Sequence, residues 1–250
     1  MTATILVTGG AGFVGQTLCR ELLRKSCRVT SLDLQAPEPA LAASGVRYVQ
    51  GDIRDAAAVR TAAEGADVVI HAPSSLPLWK PGEIQTINVD GTRTLFEACV
   101  ARKIPRVVHI STTAVYGIPG RGPLVETDPL EATDIYSKSK IDAEAIAISF
   151  RDRICVPSLR AKLVVGPGRL GIFDLIFDWA RRGKHIPILG DGANPYQMVH
   201  VDDVVSAAWL AATLPPETAG DTFNIAAEKY GTVRQDFQAL LDHVGFGRSV

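Results

Sequence analysis

The sequence predicts an α/β architecture: a doubly wound parallel sheet followed by a small C-terminal lobe. Three observations predict it. Short, continuously apolar runs alternate with helical periods from residue 4 to residue 161, as parallel strands covered on both faces by helices require. A glycine-rich turn, TGGAGFVG at 8–15, joins the first strand to the first helix. Beyond about residue 163 the rhythm changes to loop-rich segments, VVGPG and GDGANPY, between isolated helices and strands.

In chain order, TILVT (4–8) is the first strand, and FVGQTLCRELLRK is a helix with apolar residues three and four apart. RVTSLD (28–33) is the second strand, 35–44 a surface connection, and VRYVQGD (46–52) the third strand. AAAVRTAAEG is a short helix with Asp55 placed to cap it. ADVVIHA (66–72) is the fourth strand, and EIQTINVDGTRTLFEACVARK one long helix. RVVHIS (106–111) is the fifth strand, a helix opens at Tyr136, and RICVPSLRA (153–161) is the sixth strand. Right-handed crossovers wind such strands into one sheet. The remainder reads as a helix near 171–183, a strand at 197–201, a helix near 202–213 capped by Asp202, a strand near 221–225 and a helix near 233–243.

Bulk properties narrow the function classes. The chain has 250 residues, 46% of them hydrophobic, enough for one domain with an appended lobe. A net charge of −1 offers no field for nucleic acid or an anionic membrane. No apolar stretch approaches the roughly 20 residues of a membrane helix, and the first residues read as a strand rather than a signal peptide. Cys19, Cys27, Cys99 and Cys155 are scattered, which points to free thiols in a reducing cytoplasm. The five histidines lack metal-site spacing, so no metal is expected.

Gly9, Gly12 and Gly15 follow G-x-x-G-x-x-G, with Phe13 and Val14 between the last two. Glycines there permit a tight turn and close approach of backbone amides to a diphosphate, and the helix N-terminus faces its negative charge. Asp33 ends the second strand, where an acid accepts hydrogen bonds from a ribose diol and repels a 2′-phosphate. With no Arg or Lys in 34–46, the expected cofactor is NAD rather than NADP. Asp52, followed by Ile53, is placed to accept from an adenine amine. The reading is a Rossmann-type dinucleotide-binding domain over 1–163 and a substrate lobe over 164–250, interleaved with the end of the sheet.

Tyr136 and Lys140 stand four residues apart, on one face of their helix, with Lys138 pointing elsewhere. TGGAGFVG, GDIRD, NVDGT, STTAVYG and YSKSK occur in an order and spacing that resemble the extended short-chain dehydrogenase/reductases, the NAD-dependent epimerase/dehydratase branch, over essentially the whole chain. The resemblance implies Tyr136 as catalytic acid/base, Lys140 as its partner and Thr112 as the hydroxyl that orients the substrate oxygen. It also implies Ser111, Ala72 and Pro73 lining the cofactor, and Asn88 in a mainly structural place. Chemistry gives a reason for the set. Tyrosine titrates near 10, and lowering that by about 3 units takes about 4 kcal/mol of phenolate stabilisation. A lysine ammonium and an oxidised nicotinamide both supply it.

The sequence departs from the family in three places. Thr113 and Ala114 stand where sugar dehydratases carry an acidic pair, which disfavours 4,6-dehydration. Leu163 replaces an amide that touches a sugar nucleotide. Tyr196 takes the position of an Arg that pairs with a substrate diphosphate, and a phenol lacks the guanidinium fork; Arg169, Arg181 or Arg182 could substitute. The chain also stops earlier than the family's usual length, so the lobe is either minimal or shortened. His71 reads as a satisfied scaffold histidine, and Trp79 as a lid contact or a surface anchor. The expected function is hydride transfer at a secondary alcohol or ketone by a cytoplasmic homodimer paired through helices 83–102 and 135–150. A nucleotide-sugar epimerase leads. The alternatives are a net dehydrogenase/reductase of a less polar, steroid-like or natural-product alcohol, and a non-catalytic cofactor-binding protein. The partner is a small-molecule substrate.

Overall fold

The protein's computed structural model describes residues 2–73, 80–118, 120, 122–168, 173–188 and 190–245. Its first elements are β1 (Thr4–Thr8), α1 (Phe13–Arg24), β2 (Arg28–Asp33), α2 (Pro39–Ala42), β3 (Arg47–Gln50), α3 (Ala56–Ala62) and β4 (Val68–His71). The long helix is interrupted. It runs as α4 (Pro81–Gln85), a π-helical turn (Thr86–Asp90) and α5 (Gly91–Ala101). Then come β5 (Val107–Thr112), a 3-10 turn (Thr113–Tyr116), α6 (Ile135–Ile148), β6 (Ser158–Ala161), β7 (Leu163–Val165) and α7 (Phe173–Arg181). The chain ends with β8 (Pro195–Tyr196), β9 (Met198–His200), α8 (Val201–Thr213), α9 (Pro216–Ala219), β10 (Thr222–Ile225), β11 (Gly231–Thr232) and α10 (Val233–Val244).

Two compact units divide the chain: 1–161 with 202–225, and 162–201 with 226–250. The first holds a seven-stranded sheet in the order β10-β6-β5-β4-β1-β2-β3, with every neighbouring pair parallel. This is the expected doubly wound sheet, with β10 returning to extend it. Strand order reverses between β1 and β4, and ligands of such sheets bind beyond the carboxyl ends at that reversal. Leu6, Val69 and Val107 of the sheet are fully buried with Val59 of α3, Leu95 and Phe96 of α5 and Ala147 of α6. Removing that apolar surface from water is the main force holding α3, α5 and α6 on the sheet. At the C-cap of α1, Lys25 stands over the Trp209 ring of α8 at 4.9 Å.

The second unit pairs β7 with β9 in parallel and β8 with β11 antiparallel. Its small core joins Ile176 and Ala180 of α7 to Leu241 of α10, with Ile186 beside them. Thr232 opens α10 with a capping box shared with Gln235. Asp202 lies inside the first turn of α8, because the helix already starts at Val201; the expectation that it caps the helix is corrected. Asp55 does cap α3, accepting from the Ala57 N–H at 2.8 Å. Cys19, Cys27 and Cys99 are buried and all four cysteines are free. Among the described residues no helix is long and apolar enough to cross a membrane, and no cluster of His, Cys, Asp or Glu is arranged to hold a metal. Trp79 and Arg169 lie outside the described residues.

Candidate active site

The β1–α1 turn is compressed by its glycines. Gly9 has φ +73°, and a Cβ there would lie 2.6 Å from the Pro73 nitrogen and 2.8 Å from the Ala72 carbonyl carbon. The turn therefore packs directly on Ala72 and Pro73, at the strand-order reversal. A Cβ on Gly15 would stand 2.0 Å from the Gly9 carbonyl oxygen, so α1 approaches the turn as only glycine allows. Gly12 is the N-cap of α1, which has no side-chain cap and no acid in its first turn. Asp33 Oδ2 accepts from the Ala11 N–H and Oδ1 from the Gln35 N–H, both at 3.0 Å. Each oxygen keeps a lone pair for a further donor.

Asp52 sits just beyond β3, and Arg54 takes up much of its acceptor capacity. Arg54 Nε lies 2.9 Å from Oδ1 and Nη2 2.5 Å from Oδ2, with the Arg54 N–H also on Oδ1 at 2.8 Å. Hydrogen bonding from Arg54 holds this carboxyl below its usual range. Ile53 is buried against Gly91, where an added Cβ would meet Ile53 Cγ2 at 2.5 Å.

The YSKSK segment opens α6. Asp134 caps it by accepting from the Ser137 N–H at 2.6 Å, and Ser137 Oγ accepts from the Asp134 N–H at 3.0 Å. This box sets the helix phase, so Tyr136 and Lys140 share a face while Lys138 turns away to pair with Asp142. Lys140 is 3% exposed, and its Nζ donates to the Ile110 carbonyl at 3.0 Å. That bond fastens the ammonium to β5, the strand that ends in Ser111 and Thr112. Burial brings Lys140 down to about 8, with the Glu144 carboxylate working in the opposite direction. Thr112 Oγ1 accepts from the Ala114 N–H at 3.2 Å, a bond that leaves the hydroxyl hydrogen to donate elsewhere. Ser111 is 4% exposed, and its hydroxyl donates to Glu144 Oε2 at 2.6 Å. Asn88, in the π-helical turn, donates to Ser139 Oγ at 2.9 Å, and Ser139 Oγ donates to the Tyr136 carbonyl at 2.7 Å. The turn thereby braces the start of α6 through Asn88.

Beneath this face lie two polar ranks across the sheet. Register aligns Thr8, His71, His109, Ser158 and Thr222 in one, and Ser111, Arg160 and Asn224 in the next. His71 is satisfied. Thr92 gives its hydroxyl hydrogen to the Asn88 carbonyl at 2.6 Å, so it accepts from His71 Nε2–H at 3.0 Å. Nδ1 then accepts from the Thr8 hydroxyl at 2.8 Å. Burial, with Lys140 adding to it, pulls His71 down to about 3. The His109 ring stacks on His71 at 5.6 Å and is held neutral by the same burial. Among the described residues neither of its ring nitrogens has a hydrogen-bond partner. This buried polar floor escaped the sequence reading, because only strand register brings its members together.

In the second unit, Tyr196 on β8 is half-buried; burial raises its phenol, and the Asp236 carboxylate raises it further. Leu163 is 42% exposed on β7. Arg181 and Arg182 are exposed and both pair with Asp178, at 3.7 and 3.0 Å.

A model of the NAD dependent epimerase/dehydratase family matches residues 5–226. The chain belongs to that family. Two relatives illustrate its breadth. An uncharacterized protein of Sinorhizobium fredii, y4nG, is 36% identical over 99% of this chain, which spans 62% of that protein's length. A 2-alkyl-3-oxoalkanoate reductase of Stenotrophomonas maltophilia is 31% identical over 98% of this chain and 76% of its own. Among solved structures, the dTDP-glucose 4,6-dehydratase DesIV of Streptomyces venezuelae, with NAD and TYD bound, superposes with a TM-score of 0.84. It is 30% identical over 99% of this chain and 84% of its own.

An NAD dependent epimerase/dehydratase family member uses NAD, and the turn described above fits it. A glycine cradle that a Cβ would fill, a helix N-terminus without acids and an acceptor at the end of β2 are the donor and acceptor set a dinucleotide needs.

Proposed function

We propose that this family member is an NAD-dependent oxidoreductase acting at a secondary alcohol or its ketone, with Tyr136 as acid/base, Lys140 as its charged partner and Thr112 holding the substrate oxygen. One observation carries the reading: the buried Lys140 ammonium, on the Tyr136 face of α6, is anchored to β5 two residues before Thr112. A cation kept out of water acts strongly on a neighbouring phenol. Tyr136 takes the alcohol proton during oxidation and returns it during reduction. Thr112 donates to or accepts from the substrate oxygen as it changes between hydroxyl and carbonyl. NAD, when bound, supplies the nicotinamide that takes or returns the hydride.

In this reading Gly9, Gly12, Phe13, Val14 and Gly15 surround the diphosphate, and Asp33 receives the ribose diol. Asp52 and Ile53 border the adenine, and Ala72, Pro73 and Ser111 line the remainder, with Tyr136 and Lys140 at the nicotinamide end. Residues 1–163 serve the cofactor and 164–250 the substrate. The exposed face of α6 carries Ile135, Ala145 and Ile148, which supports pairing of two copies through the helices over 83–102 and 135–150 as a homodimer; a cytoplasmic location is part of the same proposal.

For substrate, the leading reading is epimerisation of a nucleotide sugar, supported by the motif set and by a 27% identical neighbour solved with UDP-glucose and NAD. Elimination of water is disfavoured, because Thr113 and Ala114 offer no acid. A second reading is net oxidation or reduction of a less polar alcohol or ketone. It is favoured by exposed Leu163 and by Tyr196 beside Asp236, which offers a diphosphate no cation. Purified protein with NAD is assayed on nucleotide sugars and on apolar hydroxy compounds. Interconversion of a sugar epimer without net NADH supports the first reading, and stoichiometric NADH the second. Wild-type and Tyr136→Phe proteins equally inert on both panels would defeat the catalytic reading and leave a cofactor-binding protein.

A further inference from the structure

Glu144 lies one helical turn beyond Lys140, and its side chain is 1% exposed. A carboxylate so buried must be compensated. Arg160 of β6 does so with two nitrogens: Nε lies 3.0 Å from Oε1 and 3.2 Å from Oε2, and Nη2 2.5 Å from Oε1. The Ser111 hydroxyl donates to Oε2 at 2.6 Å. Arg160 Nη1 continues to the Tyr116 hydroxyl at 2.6 Å and the Glu126 carbonyl at 2.9 Å. Tyr116 donates in turn to Asn224 Oδ1 at 2.8 Å. The carboxylate is thus held by two neighbouring strands, β5 and β6, and its Arg160 partner is fixed in turn through Tyr116 to Asn224 of β10.

Such a pair is weak evidence of stability, because apolar residues of similar volume commonly serve a core as well. Its position suggests another use. The ionisable groups acting on Lys140 are Glu144 from its own helix, His71 from β4 and His109 from β5, and Tyr136 lies four residues away on the same helix face. Both imidazoles are neutral through burial. Glu144 is the anion that opposes the desolvation of the ammonium.

We propose that Glu144, clamped by Arg160 and Ser111, is a positioning residue that keeps the buried Lys140 in its charged form. The Ser111 hydroxyl links this setting to the strand end that presents Thr112. The proposal rests on the reading that Lys140 assists Tyr136. In Glu144→Gln the anion is lost and the Arg160 cation is left uncompensated. The loss of the anion disfavours the ammonium, and the Arg160 charge stays unopposed, so the midpoint falls by about one pH unit or more. Glu144→Asp can re-engage Arg160 and returns the midpoint towards wild type.

The test follows Lys140 directly, as the pH titration of its side-chain resonance in isotopically lysine-labelled, NAD-loaded protein, assigned by its loss in Lys140→Met. Should Glu144→Gln fail to fold around the orphaned Arg160, the charge-neutral double variant Glu144→Gln/Arg160→Met takes its place. Its Lys140 midpoint is expected below wild type, because Glu144, one helical turn along α6, is the charge that supports the ammonium. A Lys140 midpoint equal to wild type in a folded Glu144 variant would overturn the proposal and leave the ion pair as scaffold. Turnover of Tyr136→Phe is measured in parallel. Its persistence would defeat the acid/base reading, while the Lys140 titration still decides the role of Glu144.

Discussion

Replacing Lys140 by Met exposes the energetic cost of the proposed catalytic charge. Lys140 is held at about 8 against an ordinary 10.5, chiefly by burial. Each unit of that difference is worth about 1.4 kcal/mol, so carrying the charge inside costs the folded state about 3 kcal/mol. The sign follows from proton counts. Below pH 8 both folded and unfolded chains hold the proton, and the full cost applies. Between pH 8 and 10.5 the unfolded chain binds more protons, so stability rises with pH until the cost is gone. Methionine keeps most of the stem and removes the charge, and the lost bond to the Ile110 carbonyl costs about 1 kcal/mol. Lys140→Met should therefore be more stable than wild type by about 2 kcal/mol at pH 7, by these figures, while losing turnover. Urea unfolding at pH 7 and pH 10 measures both proteins, and other titrating groups cancel in the difference between them. Wild type should gain about 2.5 kcal/mol more than the variant between the two pH values, the rest of the cost disappearing only above pH 10.5. Parallel pH dependences, or a variant less stable at pH 7, would refute the buried-charge argument.

Gly15→Ala drives a Cβ to 2.0 Å from the Gly9 carbonyl, so α1 must retreat. A loss of about 1–3 kcal/mol together with weakened NAD binding is expected, read by thermal unfolding with and without NAD; wild-type values for both would contradict the close approach. Asp33→Ala should relax the preference for NAD over NADP in binding titrations, and an unchanged ratio would remove Asp33 from the ribose site. Asp55→Ala removes a side-chain cap bonded at 2.8 Å and should lower stability by about 1 kcal/mol without touching cofactor affinity.

The sheet was legible because its strands are short apolar runs, and residues such as Leu6, Val69 and Val107 have nowhere to go but the core. The sixth strand is shorter than expected, Ser158–Ala161, because 151–153 form a turn and Cys155 makes only an isolated bridge to Arg106. The π-helical turn at 86–90 was hidden, since the helical apolar period continues through it. The short helix α2 lies within 35–44, where the composition predicts a surface connection. The two-residue strands β8 and β11 carry too little pattern to read. Of the candidate site, glycine positions and the Tyr136–Lys140 spacing are local signals and were visible. The Glu144–Arg160–Ser111 clamp and the His71–His109 stack were not, because strands β4, β5 and β6 meet only after folding.

The central claim is that the phenol of Tyr136 ionises easily beside the Lys140 ammonium. Phenolate absorbance, followed against pH in NAD-loaded wild type and in Tyr136→Phe, tests it most directly. The difference should show one phenolate forming well below the ordinary tyrosine value of about 10. If that difference instead appears only at or above the ordinary value, the claim is contradicted.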